Sequence, residues 1–386
     1  MKRWVSIISF LLLTTLLFSA CTPGGDFNLE DGGDLNIHLA TTPTETTPPS
    51  EGADPEVTTP EPTISDPVPL EPSCQHDFTS RIVLEQVTTQ EDGKIANVCG
   101  TCGGWQEEIL PAVKSLKILA IGNSFSNNAL EYLPILAKEL GIQEIVIGKL
   151  YRGSCTIDRH WSDAQSEADY ESFQVNTTGD ASWTTYPAGQ RSLMYALKLH
   201  DWDIITMQQA SGSSGVPESL GNLQNLIDFV NTNKTNPNAK FYWHMTWAYS
   251  QFTSHSSFPT YNKDQMTMYN AIVETTKSHI VTNEAFAGII PAGTAIQNYR
   301  DKDINNKSIE STYITVSDGY HLQTYARVVA AMTWLRTLTG LSLDKITCKS
   351  HTNLSFVENA QLKNLKKAAE YAYLNPYEVT YVYSSN

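Results

Sequence analysis

Between Thr22 and Ser73 the chain has no lysine and no arginine. Eleven acidic residues stand in that stretch, so most of the net charge of -15 belongs to it and the remainder is only mildly acidic. A phosphate-binding protein needs a basic face, so nucleic acid is not expected as a partner. Long apolar runs are scarce too: after Phe18 no stretch is long and apolar enough for a membrane helix. Cysteine is confined to Cys21, Cys74, Cys99, Cys102, Cys155 and Cys348.

What residues 22–73 do contain is Thr, Pro, Asp and Glu (TTPTETTPPSEGADPEVTTPEPTISDPVPLEP). Such a composition buries too little apolar surface to offset chain entropy, so a disordered, extended acidic linker is expected. Its threonines suit O-glycosylation. Residues 1–21 carry Lys2 and Arg3, the apolar run Val5 to Phe18, and then Ser19-Ala20-Cys21, the layout of a secretory signal. The Cys after Ser-Ala resembles the lipobox of bacterial lipoproteins, although Phe18 stands where that motif usually has Leu. The resemblance implies that Cys21 is lipidated and that the protein is extracellular, anchored to the bacterial cell membrane. A plain secretory signal cleaved nearby is the alternative.

Residues 74–111 read as a small module. Cys74-Gln75-His76 and Cys99-Gly100-Thr101-Cys102-Gly103-Gly104 offer four soft or borderline donors on two knuckles, as a closed tetrahedral zinc site requires. Asp92-Gly93 reads as a hairpin turn between Ile82-Val83-Leu84 and Ile95-Ala96-Asn97-Val98. The stretch resembles the short C-x-H…C-x-x-C-G repeats of secreted proteins from Gram-positive anaerobes, down to the ending Glu107-Glu108-Ile109-Leu110-Pro111. A Cys99–Cys102 disulfide is the oxidative alternative. His76 and the odd count of three cysteines favour structural zinc on Cys74, His76, Cys99 and Cys102. Cys155 and Cys348 are either a disulfide or two buried thiols.

From residue 112 to 386 strand and helix patterns alternate, as in a three-layer, doubly wound parallel α/β domain. The stretch that organises it is KILAIGNSFS, Lys117 to Ser126. Its apolar run Ile118 to Ile121 ends at Gly122, and Leu130, Leu133, Leu136, Ala137 and Leu140 then recur at helical spacing. Ser124 therefore falls at the carboxyl edge of a sheet, where open α/β sheets keep their sites. It reads either as a helix cap or as a nucleophile beside free backbone N–H groups. Further strands are expected at Glu144 to Gly148, Trp202 to Met207, Phe241 to Trp247 and Ala287 to Pro291. Residues 158–190 are polar and aromatic with little periodicity and are expected to form an excursion that shapes a pocket. His244, inside an apolar strand, reads as a core or pocket-lining histidine. Near the end, Ser317-Asp318-Gly319-Tyr320-His321 lets the Asp318 carboxylate fold back onto the His321 imidazole and fix its tautomer. Phe356 to Leu374 reads as a closing amphipathic helix.

With both motifs in view, the chain resembles the SGNH (GDSL-like) hydrolase superfamily over about residues 116–340. Gly122-Asn123-Ser124-Phe125-Ser126 looks like its first block and Asp318-Gly319-Tyr320-His321 like its last, D-x-x-H. The resemblance implies a flavodoxin-like sheet, a Ser124-His321-Asp318 triad, and an oxyanion hole that includes Gly153. Two positions depart from the usual pattern. Asn123 stands where Asp is common, and Gln208-Gln209 where Asn normally supplies an oxyanion donor, a task the resemblance passes to Gln209. The implied activity is an extracellular serine esterase that removes O-acetyl or other small acyl groups from an acylated glycan, with no cofactor for catalysis. Tyr151, Trp161, Trp183, Trp243, Trp247 and Tyr249 are the aromatics available to stack on sugar rings. The competing class is a non-catalytic surface protein that binds glycan on the same fold.

Overall fold

The computed structural model describes residue 70 and residues 73–383. The signal segment, Cys21 and nearly all of the 22–73 linker lie outside the described residues.

The small module is a three-stranded antiparallel sheet of β1 (Phe78–Glu85), β2 (Gly93–Cys99) and β3 (Trp105–Leu110), in that order. Val83 pairs with Ile95, and Ala96 with Glu107. Gly93 opens β2 where an added Cβ would sit 2.3 Å from the Val87 nitrogen, so the turn at Asp92-Gly93 requires glycine. The sequence pattern misses β3 because four of its six residues are exposed, which leaves no alternation to read. The module rests on the larger domain through Arg81 Nη1, which donates to Tyr373 O at 2.8 Å, and Gln86 Nε2, which donates to Gly340 O at 2.7 Å.

The larger domain begins with β4 (Ser115–Gly122), whose Ile118, Leu119 and Ile121 are fully buried. Burial on both faces is why this strand reads as a continuous apolar run. Next come α1 (Ser124–Leu130) and α2 (Leu133–Glu139), two helices where the spacing predicts one. The break falls at Glu131-Tyr132, just before Pro134, which has no N–H to continue the first helix's ladder. After β5 (Glu144–Tyr151) the excursion at 158–190 proves ordered, with α3 (Ile157–Gln165), β6 (Ser172–Asn176) and β7 (Thr184–Thr185). Its helix is hidden in the sequence because it buries His160 and Asp163 beside Ile157 and Ala164. Thr156 caps it, accepting from Arg159 N at 3.2 Å.

The remaining elements are α4 (Leu193–Leu199), β8 (Ile204–Met207), α5 (Leu223–Asn233) and β9 (Lys240–His244). They continue with α6 (Gln265–Thr276), β10 (Phe286–Ile290), α7 (Ala292–Tyr299) and the short α8 (Lys307–Ile309). The chain closes with α9 (Thr324–Thr339) and α10 (Asn359–Leu374). Seven strands form one sheet in the order β10-β9-β8-β4-β5-β6-β7. The five from β10 to β5 run parallel, while β6 and β7 are added antiparallel at the edge. Helices flank this parallel-rich sheet: α3, α4 and α5 pack together, and α1, α2, α7, α9 and α10 form a second group. From β4 the chain steps to β5 on one side and later returns to β8 on the other. The crevice at the carboxyl ends of β4 and β8 is thus a switch point, the place where such sheets bind ligands.

Candidate active site

Ser124 is the first residue of α1 and is partly exposed. The turn before it is held by Asn123, whose Oδ1 accepts from Phe125 N at 3.0 Å and from Gln208 Nε2 at 2.6 Å. Asn123 Nδ2 donates to Cys155 O at 3.4 Å. Asn123 thus both accepts and donates, and a carboxylate at this position could not donate to the loop after β5.

Across the crevice the Asp318–His321 loop forms as its spacing predicts. Asp318 Oδ2 lies 2.7 Å from His321 Nδ1, while Oδ1 accepts from Tyr320 N at 2.9 Å and His321 N at 3.0 Å. Burial works against the Asp318 charge. The two backbone N–H groups and the His321 ring outweigh it and hold the carboxyl below its ordinary pKa. The helix start and this loop lie side by side. The Phe125 ring, next in sequence to Ser124, is 6.2 Å from the His321 ring and stacks on Trp247 at 4.2 Å. Trp247 Nε1 donates to Tyr320 O at 2.8 Å, and Asn128 Oδ1, one turn along α1, accepts from Leu322 N at 2.8 Å. Among the described residues neither Ser124 Oγ nor His321 Nε2 has a hydrogen-bond partner, so the serine and the imidazole are not bonded to each other in this structure.

The other two expected site residues are placed differently. Gly153 follows β5 at the same crevice, but its N–H donates to Glu171 Oε2 at 3.2 Å. Gln209 is not an available oxyanion donor. Its Nε2 gives both protons to Ser219, at 2.8 Å to the carbonyl and 3.0 Å to Oγ, and its Oε1 accepts from Ile157 N at 3.0 Å. The side chain is 1% exposed and works as a brace between loops. Its neighbour Gln208 is the amide behind the first motif. Gln208 Oε1 accepts from Ser126 Oγ and, at 3.0 Å, from His244 Nδ1. Successive residues at a strand end point to opposite sides, so Gln208 faces α1 and Gln209 faces away. His244 is buried, as its sequence context implies, and burial lowers its pKa to about 3, which keeps it neutral.

Of the six aromatics offered for sugar stacking, Trp243, Trp247 and Tyr249 are core residues, exposed by 4% or less. Tyr151, Trp161 and Trp183 stay partly exposed. Two residues that sequence reasoning did not assign stand beside His321: Tyr320, its ring 4.5 Å away, and His255, edge-on to Tyr320 at 4.9 Å. Burial holds the His255 imidazole below its ordinary pKa, while Asp318 pulls it up and His321 pushes it down. No local pattern marked His255, because its place depends on a long loop folding back over the 318–321 turn.

In the small module the donor atoms of Cys74, His76, Cys99 and Cys102 lie within 4.8 Å of one another. Cys74 Sγ is 3.9 Å from Cys99 Sγ, and Cys102 Sγ is 3.7 Å from His76 Nδ1. A tetrahedron with metal–sulfur bonds of about 2.3 Å has edges of about 3.8 Å, so these residues fit a bound metal ion. The backbone N–H of Cys102 draws the Cys99 thiol down to about 5, while burial and the neighbouring thiols push Cys74 up to about 12, so a bound metal would have to displace the Cys74 proton. The described cysteines are all free. Cys155 lies in the loop after β5, and Cys348 sits by Glu139 Oε2, which accepts its N–H at 3.1 Å; the two are separate buried thiols.

A family profile described as a domain of unknown function, DUF4886, matches residues 117–372. The chain belongs to the DUF4886 family. It is also similar to the crystal structure of a DUF4886 family protein from Bacteroides uniformis ATCC 8492, at 31% identity and a TM-score of 0.60. That likeness covers 69% of this chain and 97% of the other. No curated protein matches. The DUF4886 match takes in Ser124, Asp318 and His321, and it leaves out the Cys/His module.

Proposed function

We propose that this DUF4886 protein is a serine ester hydrolase of the SGNH (GDSL-like) type, with its parallel sheet wound as in flavodoxin. On this reading it removes O-acetyl or other small acyl groups from carbohydrate. The observation that carries the proposal is the 2.7 Å Asp318–His321 pair beside the helix start that bears Ser124. Ser124 Oγ attacks the ester carbonyl as His321 Nε2 takes its proton, and Asp318 favours the resulting imidazolium. The oxyanion is met by the Ser124 N–H, and by the Gly153 N–H once substrate displaces Glu171. His321 then gives the proton to the leaving alcohol and activates water, which releases the acid and restores Ser124. Turnover of p-nitrophenyl acetate, lost in Ser124→Ala, tests this.

Around that centre, residues 1–21 serve as a lipoprotein signal, Cys21 as the lipid anchor and 22–73 as a tether outside the cell. Cys74, His76, Cys99 and Cys102 hold a structural zinc in a zinc-ribbon-like module of residues 74–111. One observation favours the second reading, a glycan-binding protein without turnover: the Gly153 N–H and the Gln209 amide are both engaged elsewhere. A folded protein that binds glycan and hydrolyses no ester would select it.

A further inference from the structure

One helical turn beyond Ser124, the surface opens into a cleft of about 400 Å3, lined by Asn127, Asn128, Glu131, Lys149, Trp183 and Arg327 among others. That volume is in the range of small-molecule sites. Its position is fixed by two contacts to the residue after His321: Asn128 Oδ1 accepts from Leu322 N at 2.8 Å, and Arg327 Nε donates to Leu322 O at 2.7 Å. Asn127 and Asn128 lie about 4.5–6 Å along α1 from Ser124, roughly the span of one sugar ring.

The charges in this cavity do not balance. Arg327 is answered by Glu131, 2.5 Å away. Lys149 has no carboxylate: among the described residues its Nζ takes part in no ion pair or hydrogen bond and lies 3.7 Å from the Trp183 ring centre. It projects from β5 and, only partly buried, lines the cleft together with α1 residues. The Trp183 ring offsets part of the cost of holding this partly buried ammonium away from water, and an anionic ligand would offset more. Burial accordingly lowers the Lys149 pKa to about 8, against the pull of Glu131. The surroundings suit a sugar: Trp183 holds Lys149 at the wall of the cleft, and the amides of Asn127 and Asn128 can meet hydroxyl groups.

We propose that this cavity is a subsite for an anionic sugar unit, with Lys149 binding its carboxylate or sulfate. That the unit belongs to a substrate rests on the hydrolase reading of Ser124 and His321; the binding itself does not. The substrate class is then an acylated acidic polysaccharide, with the acyl group at Ser124 and the charge one ring away.

Calorimetric titration of the purified protein at pH 7 with trigalacturonate, a sulfated chondroitin disaccharide and neutral xylotriose tests the inference. At least one anionic sugar is expected to bind about tenfold or more tighter than xylotriose, and the better of the two names the group. Lys149→Gln is expected to abolish that preference and Lys149→Arg to retain it, with p-nitrophenyl acetate turnover unchanged in both. Equal binding of neutral and anionic sugars, or a preference that survives Lys149→Gln, overturns the proposal. Anion preference without turnover of any ester keeps the subsite and removes the hydrolase. Turnover without anion preference does the reverse.

Discussion

The carboxylate of Asp318 takes three donors from two residues: Tyr320 N and His321 N on Oδ1, and the His321 ring on Oδ2 at 2.7 Å. In Asp318→Asn the amide oxygen still accepts the two backbone N–H groups, but the amide nitrogen faces Nδ1 and forces the other tautomer. Turnover is expected to fall by about 10³–10⁴-fold in a variant that still folds but melts at a lower temperature at neutral pH, as kcat and a thermal melt will read. The pH dependence has a definite sign. The Asp318 pKa is lowered in the folded protein, so its stabilisation is complete above the ordinary carboxylate value of about 3.9 and is lost as pH falls below it. Melting temperatures of wild type and Asp318→Asn should converge as the pH falls below the ordinary carboxylate value.

Gln209→Ala separates a brace from a catalytic donor. It leaves Ile157 N and Ser219 without partners in a buried site and is expected to cost about 1–3 kcal/mol of stability, read by urea denaturation. The kcat of the folded variant should stay near wild type. A loss of about 100-fold in kcat without loss of stability would restore Gln209 to the oxyanion hole.

The Cys/His module should carry one zinc per chain by metal analysis, and Cys102→Ser should abolish it. Chelation is expected to melt the module, because metal binding there is folding free energy. Ester turnover should survive, since the module lies outside the DUF4886 match that contains Ser124 and His321. Full retention of zinc by Cys102→Ser would remove Cys102 from the ligand set.

Binding of an anionic sugar should weaken as pH rises from 7 to 9. The Lys149 pKa is lowered to about 8, so its charge is present below that pH and lost above it. The other charged or titratable groups lining the cavity are Glu131, Arg327 and Tyr132. Glu131 and Arg327 stay paired, and burial raises the Tyr132 pKa so that it remains neutral. Affinity that is flat across this range would show that Lys149 does not carry the anion.

Much of this was legible in the sequence, and what was not has physical causes. Ser124 after a buried strand, and Asp318 three residues before His321, are local patterns, and local geometry realises them. The choice between Gln208 and Gln209 is not local: two adjacent amides face opposite sides, and only the neighbours Asn123 and Ser219 show which does what. Trp243, Trp247 and Tyr249 have the composition of a sugar platform, but their placement on and just after β9 buries them. α3 escaped notice because a salt bridge from Arg152 to Asp163 at 2.6 Å places a charged residue on its buried face. Lys149 stood inside a strand pattern, and its lack of a paired carboxylate is visible only with the cleft around it.

The central claim is that Ser124 and His321 carry out ester hydrolysis. The most direct measurement is acetate release from acetylated xylan, acetylated sialic acid and p-nitrophenyl acetate by wild type, Ser124→Ala and His321→Ala. Release by wild type and a loss of about 10³-fold or more in both variants, each still folded, are expected. No release from any of the three by folded wild type, or release undiminished in Ser124→Ala, would contradict it.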